Sequence, residues 1–258
     1  MAAEDTPVPV PLGRCVVAEA VGTGLLVAVV VGSGIFAQRL SPGAKGLQLL
    51  ENSTATALGL MALILALGPV SGAHFNPVVT LADRLLGGIG SRRAGAYIAA
   101  QIAGGAVGAV VANLMFDLPA VEWATTRRSG TGQWLGEVVA TFGLLMVILG
   151  VVRSGRTTAA PFAVGGYIGA AYWFTSSTSF ANPAVTLART LTDTFAGILP
   201  ASAPMFVAAQ LAGGLAAVAL AVYLYPALPR FADRVVVPHD LDGSVPEGAP
   251  VHARSEPA

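Results

Sequence analysis

"HFNPVVTLADRL" at residues 74–85 and "SFANPAVTLARTL" at residues 179–191 are one phrase written twice. In each copy an asparagine and a proline precede an apolar run. Asparagine is among the strongest helix N-caps, and proline suits the first helical position, where the N–H it lacks would have no partner. Asn76-Pro77 and Asn182-Pro183 therefore each predict the start of a helix. The stretches before them, "PVSGAHF" (69–75) and "TSSTSFA" (175–181), are small and polar, which suits non-helical chain.

Composition sets the solvent in which those helices sit. Of 258 residues, 54% are hydrophobic and 11% are charged. That balance lies far outside the range of soluble domains and reads as an integral membrane protein. The formal net charge is zero, so no basic surface points to nucleic acid. A single cysteine, Cys15, excludes an intrachain disulfide and a cysteine zinc site. His239 and His252 suggest no metal site, and no cofactor is expected. The opening "MAAEDTPVPVPLGR" lacks the basic start of a cleaved secretory signal.

Charge-free stretches run from Ala20 to Gln38, Asn52 to Ala82, Ala94 to Phe116, Val138 to Val152, Thr157 to Ala188 and Thr194 to Pro229. A spanning helix needs about 20 apolar residues, so the second and fifth stretches are each too long by roughly a half-helix. In both, the surplus is the repeated phrase. Such a segment is tolerated at membrane depth only where its non-helical backbone lines a protein-enclosed or wet cavity. Other elements repeat as well. "AAQIAGG" at 99–105 recurs as "AAQLAGG" at 208–214, and Glu19 in "AEAVGTGLL" recurs as Glu137 in "GEVVATFGLL". Each half is three spans with one phrase after the second, so the halves enter the membrane from opposite sides. The expected organisation is an N-terminal tail (1–11), a channel domain (12–226, repeats about 12–115 and 134–226) and a disordered tail (227–258). Lys and Arg placement puts both tails in the cytoplasm. Two half-helix N-termini meeting near the midplane would aim two positive dipole ends and two amides at a passing solute, repelling cations and offering hydrogen bonds to neutral hydroxylated molecules.

The chain resembles the aquaporin and glycerol-facilitator superfamily, the major intrinsic proteins. The likeness rests on Ser71-Gly72-Ala73-His74-Phe75-Asn76-Pro77-Val78, on Asn182-Pro183-Ala184, and on Glu19, Gln101, Glu137 and Gln210 in their spans. It implies an all-α membrane protein, a right-handed bundle of six transmembrane helices plus two re-entrant half-helices in an inverted repeat. It also implies one pore per subunit and a homotetramer in lipid. By the same resemblance, Asn76, Pro77, Val78, Asn182, Pro183 and Ala184 form the pore motifs. Gly72, Ala73, His74, Phe180 and Ala181 line the pore loops. Glu19 and Glu137 accept hydrogen bonds from those loops, which Gln101 and Gln210 buttress.

Departures from the family pattern bear on substrate. Where water-selective members carry a filter arginine, three residues after the second asparagine, this chain has Val185. The other filter positions, carried over by their offsets from the two asparagines, are Thr56, Ala170 and Ser179. Such a filter is wider and less polar than the water-selective one and has no fixed cation. Glycerol facilitators keep the arginine and follow it with aspartate, whereas Thr186 stands here. A bacterial branch associated with arsenic resistance looks closer, since its members similarly lack the arginine. The resemblance thus implies a passive channel for arsenous acid and metalloid hydroxides, glycerol-like polyols and some water, in a bacterial inner membrane. The alternatives are a water-selective or broad neutral-solute aquaporin and a secondary transporter with inverted repeats. No enzyme constellation is present. Arg189, four residues beyond Val185, has two readings: a cation in the outer vestibule, or a side chain that snorkels to lipid headgroups or pairs with Asp193. Phe180 has no physical account at this level.

Overall fold

The computed structural model describes residues 10–226. The sequence-predicted tail at 227–258 and most of the N-terminal tail lie outside the described residues. Eight α-helices form: α1 (Leu12–Leu40), α2 (Lys45–Ser71), α3 (Pro77–Leu86), α4 (Ser91–Met115), α5 (Thr131–Arg153), α6 (Ala160–Phe174), α7 (Pro183–Ala188) and α8 (Ala203–Leu224). Helices α1, α2, α4, α5 and α8 are long and apolar enough to cross a membrane. Helix α6 has only 15 residues, but a 3-10 turn at Thr157–Ala159 precedes it. Together they rise about 28 Å, close to the roughly 30 Å of a hydrocarbon core. That makes six spans, with α3 and α7 as the half-helices.

Several spans begin before their charge-free stretch. Helix α2 starts at Lys45 rather than Asn52, and α1 at Leu12 rather than Ala20. Of the charged residues in those extra turns, Arg14 is exposed near the start of α1, Glu51 accepts the Ser41 hydroxyl at 2.7 Å, and Glu19 is fully buried. Large apolar side chains such as Leu58, Val107, Leu135 and Leu215 are about 60% exposed around the bundle. Apolar surface of this extent belongs against lipid.

Packing follows the repeat. Helix α1 packs on α4 and α2, as α5 packs on α8 and α6, while α2 meets α6 across the pseudo-two-fold axis. Each half-helix also contacts the last span of the other half, α3 on α8 and α7 on α4. Small residues set the approach of α1 and α4. A Cβ on Gly104 would lie 2.1 Å from the Ala20 carbonyl oxygen, and one on Gly108 would lie 2.1 Å from that of Gly24. Both termini of the six-span bundle lie on one face, here called the terminal face. The α1–α2 and α4–α5 connections lie on the other, the loop face.

Candidate functional site

Asn76 and Asn182 cap α3 and α7 as the sequence predicts. The Asn76 side chain accepts the Val78 N–H at 2.9 Å, and that of Asn182 accepts the N–H groups of Ala184 and Val185 at 3.0 and 3.3 Å. Pro77 and Pro183 hold the first helical positions. The two caps then interlock. Asn76 Nδ2 donates to the Ala181 carbonyl at 2.8 Å, and Asn182 Nδ2 donates to the Phe75 carbonyl at 2.7 Å. With one N–H of each amide so engaged, both side chains also face the cavity between the half-helices.

The loops before the caps share an unusual backbone. Ala73 and Phe75 have positive φ (49° and 47°), as do Ser179 and Ala181 (51° and 48°), the same offsets from each asparagine. Left-handed conformations in non-glycine residues cost on the order of 1–3 kcal/mol each and need support from their surroundings. Two buried carboxylates supply it. Glu19 accepts the His74 and Phe75 N–H groups at 2.9 and 2.7 Å, the Ser71 hydroxyl at 2.7 Å and Gln101 Nε2 at 2.7 Å. Glu137 accepts the N–H groups of Phe180 and Ala181, each at 2.9 Å, and Gln210 Nε2 at 2.6 Å. Gln101 and Gln210 reach on to the hydroxyls of Thr80 and Thr186 at 2.9 and 2.8 Å. These hydroxyls bond back to the Asn76 and Asn182 carbonyls. Gly72, in a left-handed conformation, ends α2 and turns the chain into the first loop. A Cβ on Gly22 would lie 2.0 Å from the Phe75 ring, so that glycine makes room for it.

The cavity runs past both asparagines, and its walls are helical stripes. Leu26 and Val30 of α1 match Leu144 and Ile148 of α5, at equal offsets from Glu19 and Glu137. Thr56, Leu60 and Ile64 come from α2, and Val164, Ile168 and Tyr172 from α6. Ala73, His74, Phe180, Ala181, Ser179 and Val185 also line it, whereas Val78 and Ala184 are buried behind their caps. Ala170, expected at the filter, does not line the cavity: it is exposed on the outside of α6. The gap-free offset falls two residues short of Tyr172, and two residues turn a helix by about 200°, onto its opposite face. Tyr172 takes the position instead, with its hydroxyl 3.3 Å from that of Thr56. The spacing of Val164, Ile168 and Tyr172 was the available signal, since residues four apart share one face. Around the loop-face end, then, stand Thr56, Tyr172, Ser179 and Val185. Ser179 Oγ is buried without a protein partner.

Residues flanking the caps break the symmetry. Two residues before Asn76, His74 sets Nε2 3.3 Å from Asp83 Oδ2 and Nδ1 3.1 Å from the Thr80 hydroxyl. The equivalent residue in the second half is Phe180, and the equivalent of Asp83 is Arg189. Arg189 is 2% exposed, lines the cavity and stacks its guanidinium 3.4 Å from the Phe180 ring centroid. Its Nε donates to the Ala196 carbonyl. Its burial overturns lipid snorkelling, and in place of the Asp193 pairing Asp193 accepts the N–H and hydroxyl of Thr125 at 2.9 and 3.0 Å. Helix α7 stops at Ala188 because the Arg189 carbonyl turns to accept the Ile198 N–H at 3.2 Å. Arg128, from the α4–α5 connection, reaches the Gly197 and Phe195 carbonyls and lies 5.2 Å from the same phenyl ring. Burial pulls its pKa down from the ordinary arginine value.

Comparison with known proteins gives concordant matches. The profile of the family described as "MIP: Major intrinsic protein" matches residues 8–181. The chain is 53% identical over 217 residues to "Aquaglyceroporin AqpS" of Rhizobium meliloti (strain 1021), covering 84% of this chain and 92% of that protein. It is 34% identical over 184 residues to "Probable aquaporin AqpM" of Archaeoglobus fulgidus, covering 66% and 74%. Among solved structures, the X-ray structure of the aquaglyceroporin from Plasmodium falciparum shares the fold. The TM-score is 0.67 at 21% identity, over 84% of this chain and 99% of that one.

Proposed function

Because the chain belongs to the major intrinsic protein family, we propose that the cavity between its half-helices is the pore of a passive channel and that arsenous acid is among its substrates. The protein is a multi-pass membrane channel for small neutral solutes such as glycerol and water. One observation carries the finer reading: at the loop-face end of the cavity Val185, the third helical residue after the Asn182 cap, lines the wall beside Thr56, Ser179 and Tyr172. Valine adds an apolar wall there, and the three hydroxyls supply hydrogen bonds. A neutral trihydroxylated solute of glycerol size, such as arsenous acid or another metalloid hydroxide, matches both. The two asparagine amides then accept it at the midplane in place of its hydration shell.

Glu19 and Glu137, the carboxylates an ion-coupled transporter would draw on, are occupied by loop N–H groups. This favours a pore over alternating access. The terminal face, rich in arginine, is the cytoplasmic one by the positive-inside rule. The protomer works as a homotetramer in a bacterial inner membrane, with a channel domain at 12–226 between short tails.

The test is uptake of arsenous acid and of glycerol into proteoliposomes, with water permeability measured in parallel. Wild type takes up both faster than protein-free vesicles. Val185→Arg lowers both at least about tenfold, the factor that roughly 1.4 kcal/mol of barrier corresponds to, and still passes water. Arsenous acid uptake equal to that of empty vesicles, beside rapid glycerol uptake, refutes the metalloid reading alone; failure of both refutes the neutral-solute pore.

A further inference from the structure

The halves of this chain place the same contact at equivalent positions and fill it with different chemistry. The residue two before each asparagine meets the residue seven after it. In the first half these are His74 and Asp83, an ion pair at 3.3 Å. In the second half they are Phe180 and Arg189, a ring and a guanidinium 3.4 Å apart. On the terminal-face side the buried acid is matched by a base. On the loop-face side the cation has a carbonyl and a π-face, neither of which cancels its charge.

From this we infer that Arg189, clamped on Phe180, is the fixed cation of the pore mouth and supplies the cation barrier that Val185 cannot. The inference rests on the neutral-solute reading and adds what that pore excludes. Four points support it. Arg189 lines the same cavity as Ser179, Val185 and Asn182. It lies four residues beyond Val185, about 6 Å along the half-helix. Among the described residues the one ion pair is His74–Asp83, so no carboxylate partners Arg189 or Arg128. The acids of the second half are held elsewhere, Glu137 by the pore loop and Asp193 by Thr125. Arg128 adds a second positive charge beside the same ring. Phe180 has a role in this arrangement: its ring fixes the guanidinium plane on one face and packs edge-on against Phe206, with centroids 5.2 Å apart, on its own perimeter. Arg189 Nη1 has no hydrogen-bond partner, as expected of a group oriented by stacking and a single Nε contact.

Proton and potassium leak into proteoliposomes tests the inference, with water permeability as the measure of an open pore. Wild type is expected to hold both gradients as protein-free vesicles do, although position 185 is valine; a leaky wild type overturns the inference without any variant. Arg189→Gln keeps an amide able to reach the Ala196 carbonyl but removes the charge, and is expected to raise the cation leak at least about tenfold. Arg189→Lys keeps the charge and loses the planar stack, and is expected to stay within about threefold of wild type, well under the decade that 1.4 kcal/mol represents. Adding Val185→Arg to Arg189→Gln returns the cation one turn inward and is expected to restore the barrier. Leak in Arg189→Gln equal to wild type overturns the inference, as does equal leak in the Gln and Lys variants, which would mark a packing role. Neither result touches the neutral-solute reading, which fails only if wild type passes neither glycerol nor arsenous acid.

Discussion

Replacing Glu19 by glutamine removes one charge and almost no volume, and the hydrogen bonds around it allow the cost to be worked out. Oε1 accepts from the Ser71 hydroxyl and the His74 N–H, and Oε2 accepts from the Phe75 N–H and Gln101 Nε2. A carboxamide can accept at one position only, and its NH2 then points donors at donors. With the NH2 on the Oε1 side, the Ser71 hydroxyl can turn to accept, and one backbone donor, that of His74, is orphaned. That arrangement is the least costly. An unsatisfied buried donor costs about 1–3 kcal/mol, and the loss of charge assistance on the remaining bonds adds about 1–2 kcal/mol. The expected destabilisation of Glu19→Gln is therefore about 2–5 kcal/mol. For a chain of this size that lowers Tm by roughly 4–20 °C. Glu137→Gln, which orphans the Phe180 or Ala181 N–H, should fall in the same range. The assay is thermal unfolding of purified protein in detergent, followed by tryptophan fluorescence, with solute uptake as the functional readout. A shift of less than about 2 °C for both variants would refute the reasoning, because it would mean that the strained loops do not depend on an ionised acceptor.

Two further predictions concern the α6 wall of the cavity and the buried pair. Ala170→Phe, on the lipid-facing side of α6, should leave glycerol uptake within about twofold of wild type. Tyr172→Ala should change it by at least about fivefold, about 1 kcal/mol of barrier, in the same uptake assay. His74→Ala strands the Asp83 carboxylate, which is wholly buried, and should cost about 3–5 kcal/mol by thermal unfolding. The double change His74→Leu with Asp83→Leu should recover most of that loss. A double variant no more stable than the single one would show that the pair is not coupled.

Periodicity and local chemistry settle much of this protein in one dimension. Asn76-Pro77 and Asn182-Pro183 announce helix starts because capping is decided by a residue and its next three neighbours. The six spans follow from the thickness of a bilayer, and the inverted arrangement follows from an odd number of spans repeated. Glu19 and Glu137 were legible as partnered acids because a carboxylate in an apolar helix must have a partner. The cavity lining was only partly legible. Thr56, Ser179 and Val185 line the cavity, but Ala170 missed Tyr172 by two residues. An offset counted through a loop carries an error that a helix converts into rotation.

The contacts between residues two before and seven after each asparagine were hidden for a different reason. His74 with Asp83, and Phe180 with Arg189, are set by the reversal of chain at each cap, which folds the loop back beside the half-helix it has just started. The seat of Arg189 depends as well on the Ala196 carbonyl, in a segment that Arg128 of the α4–α5 connection holds through the neighbouring Phe195 and Gly197 carbonyls. Sequence alone determined the number of spans, their inversion and the two caps, since each depends on spacing along the chain. Tertiary structure decided which side chains face the pore and whether a charge there is neutralised, since these depend on helix rotation and on partners distant in sequence.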